Sequence, residues 1–321
     1  MSKKIRVIVL PVILVSIMAL FSLNGCGGGG AVTTPSGTNT WAGIPAESLS
    51  KPQLQQMLAD AVNSYKNLNT YKFNIDMDIE SNATGGSSPW SMNLSTKWGG
   101  GTNVASKQTQ MTLDMSMAMI GMGQNGDKQT ISYNMYALAD WLYMNMPDFT
   151  TGGVQWIKVA MSDKVKQMLN LNTVDEQIKP LDSPTTLEYL RTEKVNGIDC
   201  YVLSVSPNAD ELAQWLSKQN TSAGNQDWKS LVNDSSAFKK YSLLCYLTKD
   251  TNLLTRMTVD MTLELTASQA GATPSAFDKM QMNLKMDMTL SDHNKPYSVT
   301  LPDEAASARL ESEDIFLNSN Q

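Results

Sequence analysis

The sequence predicts an α+β protein built on an antiparallel sheet, one face apolar and the other solvated, with helices on one side. Two observations carry this reading. After residue 70 most segments alternate apolar and polar residues, whereas parallel strands buried on both faces read as continuous apolar runs. Before it, residues 50–65 place apolar side chains at helical spacing. Composition then bounds the chemistry: the 321 residues are 41% hydrophobic and 17% charged, with a net charge of −6, one His and three Cys. That is enough to bury a core, too acidic for nucleic-acid binding, and too poor in His and Cys for a zinc site, a His-based triad or a redox pair. What stands out is 21 methionines, a residue favoured at adaptable binding surfaces.

The first segment is an address. Lys3, Lys4 and Arg6 precede an apolar run from Val7 to Phe21 that ends in Leu23-Asn24-Gly25-Cys26, which reads as an export signal. The run is short of the ~20 residues that span a membrane comfortably. Its ending resembles the lipobox of bacterial lipoproteins, with Gly directly before the Cys and Leu three residues before it. That resemblance implies removal of residues 1–25 and diacylation of Cys26 as the new N-terminus, which places the protein outside the cytoplasm on the bacterial cell membrane. Cleavage would remove three cations and no acid, leaving 22 basic against 31 acidic residues and a net charge of −9. Membrane attachment would then come from acyl chains, at about 0.8 kcal/mol per buried methylene, and not from charge. Residues 26–45, opening with Gly27 to Gly30 and continuing in Thr, Ser, Gly and Pro, predict a flexible tether.

The body, residues 46–306, reads as one domain, followed by an acidic tail over 307–321. Ser50 starts a helix, with Pro52 in the first turn and Leu54, Met57, Leu58, Ala61, Val62 and Tyr65 along one face. Asn67 to Thr70 ends it and the period switches to two. Phe73, Ile75, Met77 and Ile79 alternate with Asn74, Asp76, Asp78 and Glu80. After a turn at Gly85, Gly86 and Pro89, the next strand carries Trp90, Met92, Leu94 and Trp98. A glycine turn at Gly99–Gly101 precedes Met111, Leu113, Met115, Met117 and Met119. Further strands are predicted over 130–138, 140–146 and 155–159, and a short helix over 162–171. Two strands over 187–194 and 198–205 flank Asn196-Gly197, the strongest short hairpin signal. Helices over 209–218 and around 228–238 follow, then strands over 241–248, 253–266 and 280–290. The last two carry Met257, Val259, Met261, Leu263 and Leu265, and Met280, Met282, Leu284, Met286 and Met288, on alternate positions. Asp292 to Pro296 turns, and Val299 and Leu301 suggest an edge strand.

The order of these elements resembles the LolA/LppX-like lipoproteins of bacterial envelopes, including a Gram-positive-type branch of unassigned function. The resemblance is carried by Tyr65-Lys66-Asn67-Leu68 running into Tyr71 to Met77, by Trp141 to Pro147 with Trp156-Ile157-Lys158, by Val195 to Leu203, and by Asn294-Lys295-Pro296 with Leu301 to Ala305. It covers most of residues 48–306. It implies a strongly curved antiparallel half-barrel, helices covering its concave side, and an apolar cavity between them for lipid or acyl chains. The ligand-lining candidates are Phe73, Ile75, Met77, Met92, Leu94, Met111, Leu113, Met115, Met117, Met257, Val259, Met261, Met282, Leu284, Met286 and Met288. Unbranched thioethers rearrange around chains of variable shape, which β-branched residues cannot do. The same side chains also suit plain packing beneath helices, and Trp90, Trp98, Trp141 and Trp156 suit either the rim of a mouth or ordinary packing.

Catalytic motifs are weak. Cys200 and Cys245 fall on candidate neighbouring strands, so a disulfide and two buried free thiols are both open; neither has a His or cation beside it to activate a thiolate. His293 sits in a polar turn without further metal ligands. Asp76, Asp78, Asp114, Asp260 and Asp287 fall on the polar side of their strands, where solvated charge is the default over glycosidase chemistry. The sequence therefore predicts no enzyme, no cofactor, no metal and no nucleic-acid partner. It predicts a monomeric, membrane-anchored binder of lipid or other apolar molecules, or alternatively an envelope interaction or scaffold protein with a packed core and a protein partner.

Overall fold

The computed structural model describes residues 41, 44–87, 89–121, 124–138, 140–147, 153–163, 165, 181, 184–206, 210, 237–269 and 275–313. The expected export signal with Cys26, nearly all of the expected tether, the bulk of the helices expected over 162–171, 209–218 and 228–238, and the end of the tail lie outside these residues.

The first long element is helix α1 (Lys51–Lys66). Ser50 starts it: its backbone N–H and its Oγ both donate to Gln53 Oε1, at 2.9 and 2.7 Å, satisfying groups the first turn leaves open. Asn67 Nδ2 donates to the Asn63 carbonyl at 2.8 Å and closes the other end. Leu54, Met57, Leu58, Ala61, Val62 and Tyr65, the stripe predicted from spacing, are all buried.

The strands are β1 (Thr70–Thr84), β2 (Trp90–Asn103), β3 (Gln108–Gly121), β4 (Gln124–Asn125), β5 (Gln129–Ala137), β6 (Trp141–Pro147), β7 (Val154–Ala160), β8 (Thr186–Val195), β9 (Ile198–Ser206), β10 (Phe238–Thr248), β11 (Leu254–Thr266), β12 (Lys279–Ser291) and β13 (Arg309–Glu311). They form one open, curved sheet in the order β13-β7-β6-β5-β3-β2-β1-β12-β11-β10-β9-β8, with β4 beside β3. Two antiparallel meanders compose it, β1 to β7 and β8 to β12. A single seam joins them, where β1 pairs with β12 from Lys72 opposite Ser291 to Thr84 opposite Lys279. The apolar face curls around α1, whose buried stripe shares one continuous core with β1, β2, β3 and β8 to β11. Asn252 Nδ2 ties the β10–β11 turn to the helix by donating to the Met57 carbonyl at 2.9 Å.

Three expectations need correction. The edge strand is not Val299–Leu301, which has no regular structure; the chain passes on to β13, which joins β7 in parallel, so the sheet reaches Glu311. Phe238 does not end a helix but begins β10. Gly99–Gly101 is not a turn. It lies inside β2 opposite Thr112, Met111 and Gln110 of β3, and the reversal comes at 104–107. Bare backbone is needed at Gly100 and Gly101 because neighbours occupy the side-chain space. A Cβ on Gly100 would lie 2.2 Å from the Gln110 carbonyl oxygen and 2.9 Å from Phe73 Cζ, and one on Gly101 would lie 2.6 Å from the Tyr297 ring. The Asn196-Gly197 hairpin forms as predicted, with both residues at positive φ, 49° and 83°.

Gly99 meets only side-chain oxygens, the nearest at 3.1 Å. Gly100→Ala is therefore expected to lower unfolding free energy by about 1–3 kcal/mol while Gly99→Ala changes it little, as measured by urea denaturation.

Candidate ligand-binding face

Pairing in register sets the apolar side chains in rows across the sheet. One row runs Leu113, Trp98, Ile75, Met288, Met257, Cys245, Leu203. The next runs Met115, Thr96, Met77, Met286, Val259, Leu243, Val205, and a third Met117, Leu94, Ile79, Leu284, Met261. Met282 and Met92 flank Ser81 one row further on, and Met111 and Phe73 flank Gly100 at the other end. All sixteen lining candidates thus share one face of the sheet, because residues opposite each other in a ladder point the same way.

Exposure divides them. Phe73, Ile75, Met77, Met92, Leu94, Met111, Leu113 and Met115, on β1 to β3, are buried. Met257, Val259, Met261, Met282, Leu284, Met286 and Met288, on β11 and β12, are half-buried, as are Met117 and Met280. The half-buried stripe along β12 from Met280 to Met288 is about 27 Å long at ~3.4 Å per residue.

The opposite face is polar. A cavity of about 380 Å³ opens there, lined mainly by Asp78, Glu80, Asn93, Ser95, Ser116, Lys128, Asn283 and Lys285. Its mixed charges do not suit an acyl chain. The carboxylates weighed for hydrolysis lie on this face, and Asp287, Asp260 and Asp114 have bonding partners there. Asp287 takes a two-pronged hydrogen bond from Arg256, Nε at 2.9 Å and Nη2 at 2.5 Å. Asp260 pairs with Lys240 at 2.5 Å, and Asp114 accepts from Ser132 Oγ at 2.6 Å. Asp76 stands opposite Lys97 and Asp78 opposite Lys285. Arg256 also lies 5.0 Å above the Tyr246 ring, and the Asp287 hydrogen bond is the main cause that raises its pKa.

The aromatic rim does not assemble. Trp90 and Trp98 are buried within the apolar rows. Trp141 and Trp156 oppose Ala160 and Asn145, off the face that Met144 and Ile157 share with Met135; there Lys158 Nζ lies 5.4 Å from the Trp141 ring and Trp156 packs on Tyr136.

The candidate disulfide is also corrected. Cys200 and Cys245 are free and buried. Cys245 opposes Leu203 on the apolar face, whereas Cys200 opposes Thr248 three positions away, on the outer face with Val195, Val202 and Tyr246. Opposite faces of one sheet leave no bridging geometry. Burial pushes the Cys200 thiol up to about 11 and Cys245 up to about 12, which keeps both in the inert thiol form.

His293 is more enclosed than a surface turn suggests. It is half-buried, its Nε2 is buried without a hydrogen-bond partner, and burial lowers its pKa. Among the described residues no group of three His, Cys, Asp or Glu is placed to hold a metal. The sequence reading passed over Thr96. It occupies an apolar register position between Leu94 and Trp98, a break in the alternation that is visible in the sequence.

These features define an open, curved sheet with a methionine-lined apolar face and a helix packed on it. Residues 53–309 match the family of unknown function DUF6612, and the chain belongs to that family. No curated protein matches the sequence. Among solved structures, similarity extends to LprF from Mycobacterium bovis, at 12% identity over 78% of this chain and 98% of that one, with a TM-score of 0.40. It extends also to the lipoprotein LppX of Mycobacterium tuberculosis, at 13% identity over 78% and 100%, TM-score 0.35. A DUF1329 family protein from Desulfovibrio piger follows, at 13% identity over 78% and 94%, TM-score 0.23. These are loose likenesses.

Two outcomes follow. A non-reducing peptide mass map should show Cys200 and Cys245 as free thiols, and both should react with a thiol reagent only on unfolding. His293 binds a proton more weakly folded than unfolded, so its contribution to stability is complete above about pH 6.5 and is lost as pH falls below that. The urea midpoint should therefore drop between pH 7 and 5, and less so in His293→Gln.

Proposed function

We propose that this protein is an extracytoplasmic, membrane-anchored, non-enzymatic binder or carrier of lipid or other apolar molecules. It acts as a monomer, held to the membrane by acylated Cys26. The observation that carries the reading is the half-buried methionine stripe of β11 and β12, continuous in register with the buried rows of β1 to β3. Covering what is still exposed of one such half-buried side chain is worth roughly half of the ~1.5–3 kcal/mol for full burial, so an acyl chain laid along several of them gains enough to bind without any charge. Methionine suits the task because its side chain refits to different chains at low cost. The ion pairs of Asp287 and Asp260 and the hydrogen bond to Asp114 on the polar face support binding over hydrolysis.

A second reading is an envelope interaction or scaffold protein that binds no lipid. It draws on the complete burial of Phe73, Met92 and Leu94, as in a packed core.

The test is extraction of the purified protein followed by lipid mass spectrometry, together with binding of the apolar dye 1-N-phenylnaphthylamine. The expected result is co-purifying lipid and dye fluorescence that phospholipid displaces. Met286→Glu with Met288→Glu should weaken dye binding at least about tenfold with little loss of stability, since both positions are already half-solvated. Absence of lipid and of dye binding would overturn the reading in favour of the scaffold.

A further inference from the structure

Two polar groups stand inside the apolar rows of β2. Thr96 is 0% exposed and lies between Met77 and Met115; Trp98 is 3% exposed and lies between Ile75 and Leu113. Thr96 Oγ1 and Trp98 Nε1 are buried with no hydrogen-bond partner. Being two residues apart on one strand, they leave the same face about 7 Å from each other. An unmade buried hydrogen bond costs stability that Val and Phe at these positions would not cost. Elsewhere the fold satisfies its buried threonines: Thr102 and Thr109 share a hydrogen bond of 3.1 Å, and Thr255 Oγ1 donates to the Leu290 carbonyl at 3.0 Å.

We infer that Thr96 and Trp98 form the polar anchor of the apolar site, and that its ligand is an uncharged acyl ester whose carbonyl oxygens accept from the Trp98 indole N–H and the Thr96 hydroxyl. This rests on the proposed binding of apolar molecules to the methionine face. The rows of β1, β2, β3, β11 and β12 carry no Lys, Arg or His on the apolar side, so a fatty-acid carboxylate would be buried without a counter-charge. A plain hydrocarbon would leave both donors unmade. The route in is built of methionine. Met77 separates Thr96 from half-buried Met286 in the same row, and Met115 closes the other side; both side chains are unbranched and able to swing aside.

Competition with bound 1-N-phenylnaphthylamine on the purified, delipidated protein tests this, using dioctanoylglycerol, octanoate and decane as competitors. Dioctanoylglycerol should compete best by at least about tenfold. Thr96→Val and Trp98→Phe should each weaken its competition, relative to that of decane on the same variant, by several-fold to about tenfold, and Thr96→Val should raise the melting temperature of the unliganded protein. Thr96→Ser, which keeps the hydroxyl, should retain the ester preference. Unchanged dioctanoylglycerol affinity in variants that still bind dye, or octanoate competing as well as the ester, would overturn the anchor. A wild-type protein that takes up no dye would instead overturn the binding reading beneath it.

Discussion

The structure depends on one constraint, the registered alternation of side chains along β3, β2, β1, β12 and β11. Each strand has a period of two, so a slip of one residue in any ladder would turn its whole apolar set toward water. With the register held, methionines from strands far apart in sequence become neighbours, as Met115, Met77 and Met286 do across Thr96. Helix α1 has a face to pack on only because that register is kept. The outer ladder of Lys97 with Asp76 and Asp114, and of Lys285 with Asp78 and Asp260, is its complement.

This arrangement assigns the acidity and the methionine to opposite sides of one layer. The acidic residues keep the outer face solvated, and Asp260, Asp287, Glu264 and Asp292 are locally neutralised by cations, Asp292 most clearly. Hydrogen bonds from Lys295 and Lys72, each at 2.8 Å, hold its carboxyl down at about 2, in the turn where β1 meets the end of β12. The apolar face, by contrast, is specified by pattern more than by shape. β-Branched residues would fix a single packing, and methionine leaves several open at similar energy.

Much of this was legible in the sequence, because long strands with one wet face announce themselves by alternation. All sixteen proposed lining residues fall on one face for that reason, and the α1 stripe followed from spacing alone. Where the periodicity was weak, the reading failed. β9 is buried on both sides, so Cys200, Tyr201, Val202 and Leu203 form an unbroken apolar run whose phase the sequence does not assign, which leaves open whether Cys200 faces Cys245. Arg309-Leu310-Glu311 is too short to show a pattern, and its parallel partner β7 lies far away in sequence. Gly99–Gly101 reads as a turn because the rings of Phe73 and Tyr297, which fill the missing side-chain space, come from distant segments.

The seam between β1 and β12 has a kinetic consequence. The first long strand of the body finds one of its two neighbours only when Lys279–Ser291 is available, some two hundred residues later, so the central ladder closes a very large loop. The β1–β7 meander can zip locally, but its open β1 edge stays unpaired until the last long strand arrives. Folding of this chain is thus governed by high contact order, and the middle of the sheet, not its margins, is the last part to close.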